Sequence, residues 1–305
     1  MIARAAREAL EEALGDAVRF DVPMSRYTSL RVGGPADVLA TPSSRADLAR
    51  LLAVCMTHRL RHAILGAGFN TLALDHRIEG VVIQMGGLRR LEERPGGLLR
   101  AEAGVSHAQL TNFCCRRGLA GLEFGAGIPG SVGGWLAMNA GIPGREMKDV
   151  VHEVEVMSPT GRRVSHLRRE ALRFVYRALR GLAPGSVLLS TLLEVEVAQP
   201  AAVRAEVKRL LAKRAGTQPL DVPTCGSVFK NPPGDFAGRL IDAAGLKGRR
   251  IGGAQISPLH ANFISNLGGA TAADILALME EARAAVKAAT QTRLETEVRL
   301  LGRKG

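Results

Sequence analysis

The chain has 305 residues, 46% hydrophobic and only 4% aromatic, enough for two or three packed units and unlike a disordered or fibrous composition. Its 41 Lys and Arg outweigh 29 Asp and Glu, for a formal charge of +12. The basic residues are scattered in short clusters such as Arg162-Arg163 and Arg168-Arg169. Few aromatics lie among them to stack bases, so an anionic small molecule is expected as partner and nucleic acid is not.

Residues 1–20 carry Arg and Glu on an amphipathic helical pattern and lack the apolar core of a signal peptide. The next helix is expected to start at Ser43 or Ser44 and carries Ala46, Leu48, Leu51, Leu52 and Cys55 at helical spacing. Strands are expected over 62–65, 81–85 and 98–103, then a helix over 106–117. A Gly-rich segment, 118–144, interrupts this alternation. Residues 151–157 and 161–164 read as a hairpin across Ser158-Pro159-Thr160, and 187–197 as a strand.

Beyond a boundary expected near residue 198 come a helix over 201–214 and a Pro-containing loop, 216–233, around Val228-Phe229. A helix over 236–244, a strand over 262–266, a long helix over 272–289 and a final strand over 294–301 follow. No stretch approaches the roughly 18 apolar residues of a membrane span, so a cytoplasmic, membrane-free setting is expected. Cys55, Cys114, Cys115 and Cys225 have no metal-ligand spacing, and no metal is expected. The adjacent pair, Cys114 and Cys115, suits helix packing better than a disulfide.

Two glycine segments suit a phosphate, because glycine lets backbone approach a ligand and adopt positive φ. One is Gly66-Ala67-Gly68-Phe69-Asn70-Thr71. The other runs from Gly125 through Gly127, Ile128, Pro129, Gly130, Ser131, Gly133 and Gly134. The second contains a literal G-x-G-x-x-G, with Glu146 and Asp149 near the spacing of a ribose-binding acid. A dinucleotide fold also needs a strand before it and a helix at once after it. Pro129 inside the turn and the extension at Gly133-Gly134 argue against that, and a plain structural turn is the simpler alternative.

The chain resembles the UDP-N-acetylenolpyruvoylglucosamine reductase family. The match covers Tyr27-Thr28-Ser29-Leu30-Arg31-Val32-Gly33-Gly34, both glycine segments, Met138-Asn139-Ala140-Gly141 and Phe174-Val175-Tyr176-Arg177. It continues through Gly226-Ser227-Val228-Phe229-Lys230-Asn231-Pro232, Gly238-Arg239-Leu240-Ile241-Asp242, Ile251-Gly252-Gly253-Ala254, His260-Ala261-Asn262-Phe263 and Leu294-Glu295-Thr296-Glu297-Val298-Arg299, in the family's order. The resemblance implies an α+β fold. A two-lobed FAD-binding region of the vanillyl-alcohol oxidase type would occupy 1–198, with its lobes split near residue 86. A substrate-binding C-terminal domain would occupy 199–305, its last strand free to return to the first lobe.

The resemblance further implies bound FAD, NADPH as co-substrate, an anionic nucleotide sugar as substrate, and a monomer of the compact subtype without an extra tyrosine loop. Gly66, Gly68, Asn70, Thr71, Gly127, Ile128, Pro129, Gly130, Ser131, Gly133, Gly134, Asn139, Ala140 and Gly141 would bind FAD. Lys230, Asn231 and His260 would bind substrate. Phe69, Trp135, Ile142-Pro143 and Ala178-Leu179 depart from the family pattern.

Reduction of an enol ether needs its carboxylate polarised, by a guanidinium and by a hydrogen-bonding acid, so that charge can develop there. The resemblance gives these roles to Arg177 and Glu297, the latter kept protonated by burial, and proton donation to carbon to Ser227. Each has a plain alternative: a surface Arg, a turn Ser, and a charge ladder of Glu295 and Glu297 on one side of a strand. An FAD oxidase of the same fold and a non-catalytic binding paralogue are the rival functions. Cys225, beside Ser227, lacks a neighbouring base and is a poor nucleophile candidate.

Overall fold

The computed structural model describes residues 2–302. Chain order begins α1 (Arg4–Leu14), β1 (Val18–Pro23), β2 (Pro35–Ala40), α2 (Arg45–Thr57), β3 (His62–Leu65), β4 (Thr71–Ala73), β5 (Ile78–Gln84), β6 (Leu91–Arg94), β7 (Leu98–Glu102) and α3 (His107–Arg117). It continues with β8 (Leu119–Ala120), α4 (Val132–Met138), β9 (Gly141–Ile142), β10 (Arg145–Glu146), β11 (Val151–Met157), β12 (Val164–Arg168), β13 (Arg173–Val175), β14 (Ala178–Arg180), β15 (Val187–Glu194), β16 (Glu196–Val197) and α5 (Pro200–Ala215). Last come β17 (Thr224–Ser227), α6 (Ala237–Ala243), β18 (Arg250–Ile251), β19 (Ala254–Ile256), β20 (Phe263–Asn266), α7 (Ala272–Thr290) and β21 (Arg299–Leu301).

These elements form two compact units, residues 1–20, 38–67 and 80–213, and residues 21–37, 68–79 and 214–305. In the first unit, α1 and α2 share a core with the sheet ordered β1-β2-β5-β3, in which β3 and β5 are parallel. The five-stranded sheet β12-β11-β15-β7-β6 buries Leu99, Ala101, Val154 and Leu193 with α3 and α4. Its opposite face sends Met157, Val187 and Leu189 into the core of α1 and α2 and is otherwise polar by strand alternation. There Arg45 Nη2 lies 2.6 Å from the Glu155 carboxylate and its Nη1 lies 2.8 Å from Glu102, while Arg100 Nη2 adds a 2.8 Å contact to Glu155. Burial alone would raise the Glu155 carboxyl, but hydrogen bonds from Arg45 and Ser190 outweigh it and hold the group at about 2.

The second unit builds the sheet β17-β20-β19-β18 and the parallel pair β21-β4 around one core. Phe229, Ile241, Ile264, Leu278 and Val286 pack there against α6 and α7. Helix α7 starts where a capping box of Thr271 and Asp274 forms, and Asp75 accepts the N–H groups of Ala272 and Ala273 at 2.8 and 2.9 Å.

Several local expectations change. The N-terminal helix stops at Leu14, because Gly15 takes φ 55 and the chain then enters β1. The hairpin after β11 uses Val164–Arg168, since Gly161 at φ 72 belongs to the turn. The loop over 216–233 contains β17, whose four residues, Thr-Cys-Gly-Ser, have no strand-like alternation of polarity to betray them. The final strand shrinks to Arg299–Leu301, preceded by one bridge between Thr296 and Phe229. A dinucleotide fold is ruled out: a 3-10 turn, Glu123–Gly125, precedes the glycines, and the following helix has 7 residues. Glu146 and Asp149 instead close a turn, with Glu146 N–H donating to Asp149 at 2.7 Å.

Candidate active site

In the first unit the glycine segment is anchored at its centre. Gly130 O accepts from His107 N at 3.1 Å, and Ser131 bridges Ser106, so the start of α3 fixes the loop. The capping box of Ser106 and Gln109 and the left-handed Gly118 define both ends of that helix.

The glycines divide into two groups. A Cβ on Gly125 would lie 2.4 Å from Trp135 Cη2, one on Gly133 would lie 2.8 Å from Ala103 Cβ, and one on Gly141 would meet Arg145 O at 2.4 Å. Those three are required by protein packing. By contrast, Gly66 and Gly134 face only the Ser131 hydroxyl, at 2.8 and 3.7 Å, and Gly130 at φ 127 meets nothing closer than the Trp135 ring at 3.7 Å. Ser131 Oγ is itself buried and has no hydrogen-bond partner. Bare backbone around an unsatisfied hydroxyl fits an anionic cofactor that completes the bonding. Gly127, at φ 73, and Ile128, whose N–H reaches Gly125 O, continue that edge with Pro129.

Trp135 does not obstruct this edge. It is 3% exposed and packs into the core over Gly125, which leaves room for its ring.

Asn139 and Ala140 behave differently from the bare glycines. Asn139 is 0% exposed. Its amide donates to Glu146 at 2.9 Å and to Val175 O at 3.3 Å, and its Oδ1 accepts from Lys148 N at 3.0 Å. Ala140 is buried with it. Val175 begins the two-residue turn of β13 and β14, where Arg177 sits at φ 56 with its guanidinium 5.1 Å from the Tyr176 ring. A left-handed Arg costs roughly 1–2 kcal/mol, and such strain concentrates at functional sites.

In the second unit the segment before β21 brings Glu297 beside the residue that follows Ser227. Glu297 N–H donates to Val228 O at 2.8 Å, one residue beyond Ser227. Asn70, at φ 46, sits beside both: its N–H reaches Cys225 O at 3.3 Å, its amide reaches Glu297 O at 3.2 Å, and its O accepts from Arg299 N at 3.1 Å. Thr71 is the first residue of β4, paired with Arg299. Gly68 is glycine because Tyr27 O would lie 1.9 Å from its Cβ. Cys225 is 4% exposed and its thiol is pushed up to about 12, chiefly by burial. It is therefore an inert core thiol.

Glu297 is half-buried whereas Glu295 is exposed and lies 3.4 Å from Lys230 Nζ. Asn231 accepts from Ala237 N at 3.0 Å, at the start of α6. The His260 ring lies 4.7 Å from that of Phe263 and its Nδ1 accepts from Asn262 N at 3.2 Å. Burial lowers its pKa, so it is neutral at pH 7. Within the motif His260-Ala261-Asn262-Phe263, Asn262 is a hub of the Ser227 turn, bonded to Val228 and Phe229. Among the described residues no group of three His, Cys, Asp or Glu could hold a metal ion, and no helix is long and apolar enough to cross a membrane.

Residues 36–166 match the FAD binding domain family, and residues 218–301 match the UDP-N-acetylenolpyruvoylglucosamine reductase C-terminal domain. UDP-N-acetylenolpyruvoylglucosamine reductases of Anaeromyxobacter sp. (strain Fw109-5) and Anaeromyxobacter sp. (strain K) are 46% and 45% identical over 299 and 282 residues. Those alignments cover 97% and 92% of this chain, and 92% and 85% of the relatives. The crystal structure of UDP-N-acetylenolpyruvylglucosamine reductase from Thermus caldophilus superposes with a TM-score of 0.80 at 36% identity, covering 93% of this chain and 99% of that one. The α+β fold expected from the sequence is therefore established, and the chain belongs to the UDP-N-acetylenolpyruvoylglucosamine reductase family.

Proposed function

We propose that this chain reduces the enolpyruvyl ether of UDP-N-acetylglucosamine enolpyruvate to give UDP-N-acetylmuramate, a step in peptidoglycan precursor synthesis. Residues 1–198 are assigned to FAD and residues 199–305 to the nucleotide sugar. The observation that carries the reading is the approach of Ser227 and Glu297 through the bond from Glu297 N to Val228 O. Family resemblance alone names two distant residues, and this bond makes them neighbours.

Bound FAD supplies hydride taken from NADPH, and the bare edge of Gly66, Gly130, Ser131 and Gly134, with Gly127 next to it in the loop, is where this chain would hold it. The Arg177 guanidinium pairs with the substrate carboxylate through two parallel N–H bonds. As the terminal alkene carbon gains hydride, negative charge develops on that carboxylate. Arg177 and a protonated Glu297 stabilise it without reorganising. Ser227 then gives its hydroxyl proton to the carbon bearing the carboxylate. A hydroxyl is a weak acid, and the developing carbanion makes the transfer favourable.

Lys230 is assigned to the diphosphate, with Asn231 and His260 lining the sugar nucleotide. A neutral His260 suits hydrogen bonding better than charge pairing. The free Cys55, Cys114, Cys115 and Cys225 suit a reducing cytoplasm, and a monomer suffices for the chemistry assigned.

The visible spectrum of the purified protein tests this reading. The expected protein is yellow, is bleached by NADPH without oxygen, and regains its colour when the nucleotide sugar is added. Colour restored by oxygen but not by the sugar would identify an FAD oxidase. A colourless protein that takes up no FAD would identify a non-catalytic paralogue.

A further inference from the structure

We propose that Asn262 is the positioning residue of the acid Ser227, an inference that rests on the role given to Ser227 above. Strand β17 loses regular pairing just before the serine. Its register against β20 shifts between Thr224 and Ser227, and Gly226 takes φ 81 with nothing within 4 Å of its Cβ position. The glycine is therefore demanded by backbone conformation and not by crowding. A bulge of this kind re-aims the next side chain but leaves backbone groups to be satisfied elsewhere.

Asn262 satisfies them. Its backbone O accepts from Val228 N at 2.9 Å. Its side-chain Oδ1 accepts from Phe229 N at 3.0 Å, and its Nδ2 donates to Phe229 O at 2.8 Å. The carboxamide thus imitates one further residue of a strand, using a donor and an acceptor together. The side chain is 3% exposed, so water does not substitute readily for it. Across the same three-residue turn, Val228 O accepts from Glu297 N at 2.8 Å. The Asn262 carbonyl holds the peptide that leaves Ser227, while the Asn262 carboxamide and Glu297 N hold the next one, between Val228 and Phe229, and together they set the direction of the Ser227 side chain. Asn262 itself touches neither reacting atom in this assignment.

The test is a double-mutant cycle on the full-length holoprotein, read by anaerobic single-turnover spectroscopy of the flavin. Asn262→Ala should slow reoxidation by the nucleotide sugar about 10²-fold, the cost of misplacing a reacting group by roughly 1 Å. Flavin reduction by NADPH, and sugar affinity on the oxidised protein, should change by less than about twofold, as expected for uncoupled sites. In a Ser227→Ala background, Asn262→Ala should cost less than about twofold more, because its effect acts through the missing hydroxyl.

An additive loss in that background, or an equal fall in both half-reactions, would overturn the positioning role while leaving Ser227 as the acid. Unimpaired reoxidation in Ser227→Ala alone would remove both. If Asn262→Ala does not fold, Asn262→Ser, which keeps a small polar group against Phe229, runs the same cycle with the same outcomes.

Discussion

The glycine segment around Ser131 and the turn around Ser227 solve opposite problems. In the first, glycines stand close together in sequence, and the structure divides them into those pressed against protein and those left bare. In the second, the bonding comes from Asn70, Asn262 and Glu297, residues scattered over the chain, and side-chain amides do the work of strand partners. The lesson is that a glycine-rich motif is not uniformly a ligand loop. Gly125 and Gly133 admit Trp135 and Ala103, while Gly66, Gly130 and Gly134 keep an edge open. Precision at the Ser227 turn depends instead on long-range hydrogen bonds, which cost little in helix or strand propensity and leave little trace in the sequence.

Substitutions can break this contrast, beginning with the largest effect. Arg177→Gly should slow flavin reoxidation by the nucleotide sugar about 10³-fold, from loss of a preorganised cation. Because Arg177 sits at φ 56, thermal denaturation should show the variant no less stable than the parent, since glycine relieves the left-handed strain. A destabilised variant would mean the strained Arg also holds the hairpin.

Arg45→Ala should cost about 3 kcal/mol in urea denaturation, because it removes the cation shared by the buried carboxylates of Glu102 and Glu155 and leaves Glu155 with Arg100 and Ser190 alone. It should leave both flavin half-reactions intact, in contrast to Arg177. The same carboxylate gives a pH signature. Glu155 falls from its ordinary 4.5 to about 2 in the folded protein, so its contribution is present above pH 4.5 and is lost as pH falls toward 2. The acid-induced loss between those values should be smaller in Glu155→Gln than in the parent.

Gly125→Ala should destabilise by about 2 kcal/mol through overpacking on Trp135, lowering the melting temperature and reddening or quenching the fluorescence of the sole tryptophan. Gly134→Ala faces only the Ser131 hydroxyl at 3.7 Å. It should leave the melting temperature of the FAD-free protein nearly unchanged and weaken FAD affinity instead. Equal losses of stability in the two variants would erase the division between packed and bare glycines. Smallest is Ser106→Ala, which removes a capping box for about 1 kcal/mol.

Much of this molecule can be read from the chain alone. Ser44, Ser106 and Thr271 announce helix starts because capping is local, a hydroxyl bonding an amide three residues on. The recurring valines of 151–157 and the mostly apolar run 187–194 declare strands by their pattern. The short strand Thr224–Ser227 and the shortened last strand escape, because their pairing is set by distant partners and not by their own pattern.

The same limit applies to the site. Ser227 and Glu297 come from family motifs, but their proximity depends on Val228, a residue that offers only its carbonyl. For Asn139, which the family motif assigns to the cofactor, the local sequence does not announce the bonds its amide makes to Glu146 and Val175 O, because both partners are brought there by the fold.

The central claim is that Ser227 acts only after hydride has left the flavin. Stopped-flow measurement of both half-reactions in Ser227→Ala tests it most directly. Reduction by NADPH should match the parent, while reoxidation by the nucleotide sugar should fall about 10³-fold, the scale of a lost general acid. Reoxidation at the parental rate, or a matching fall in reduction, would contradict the assignment.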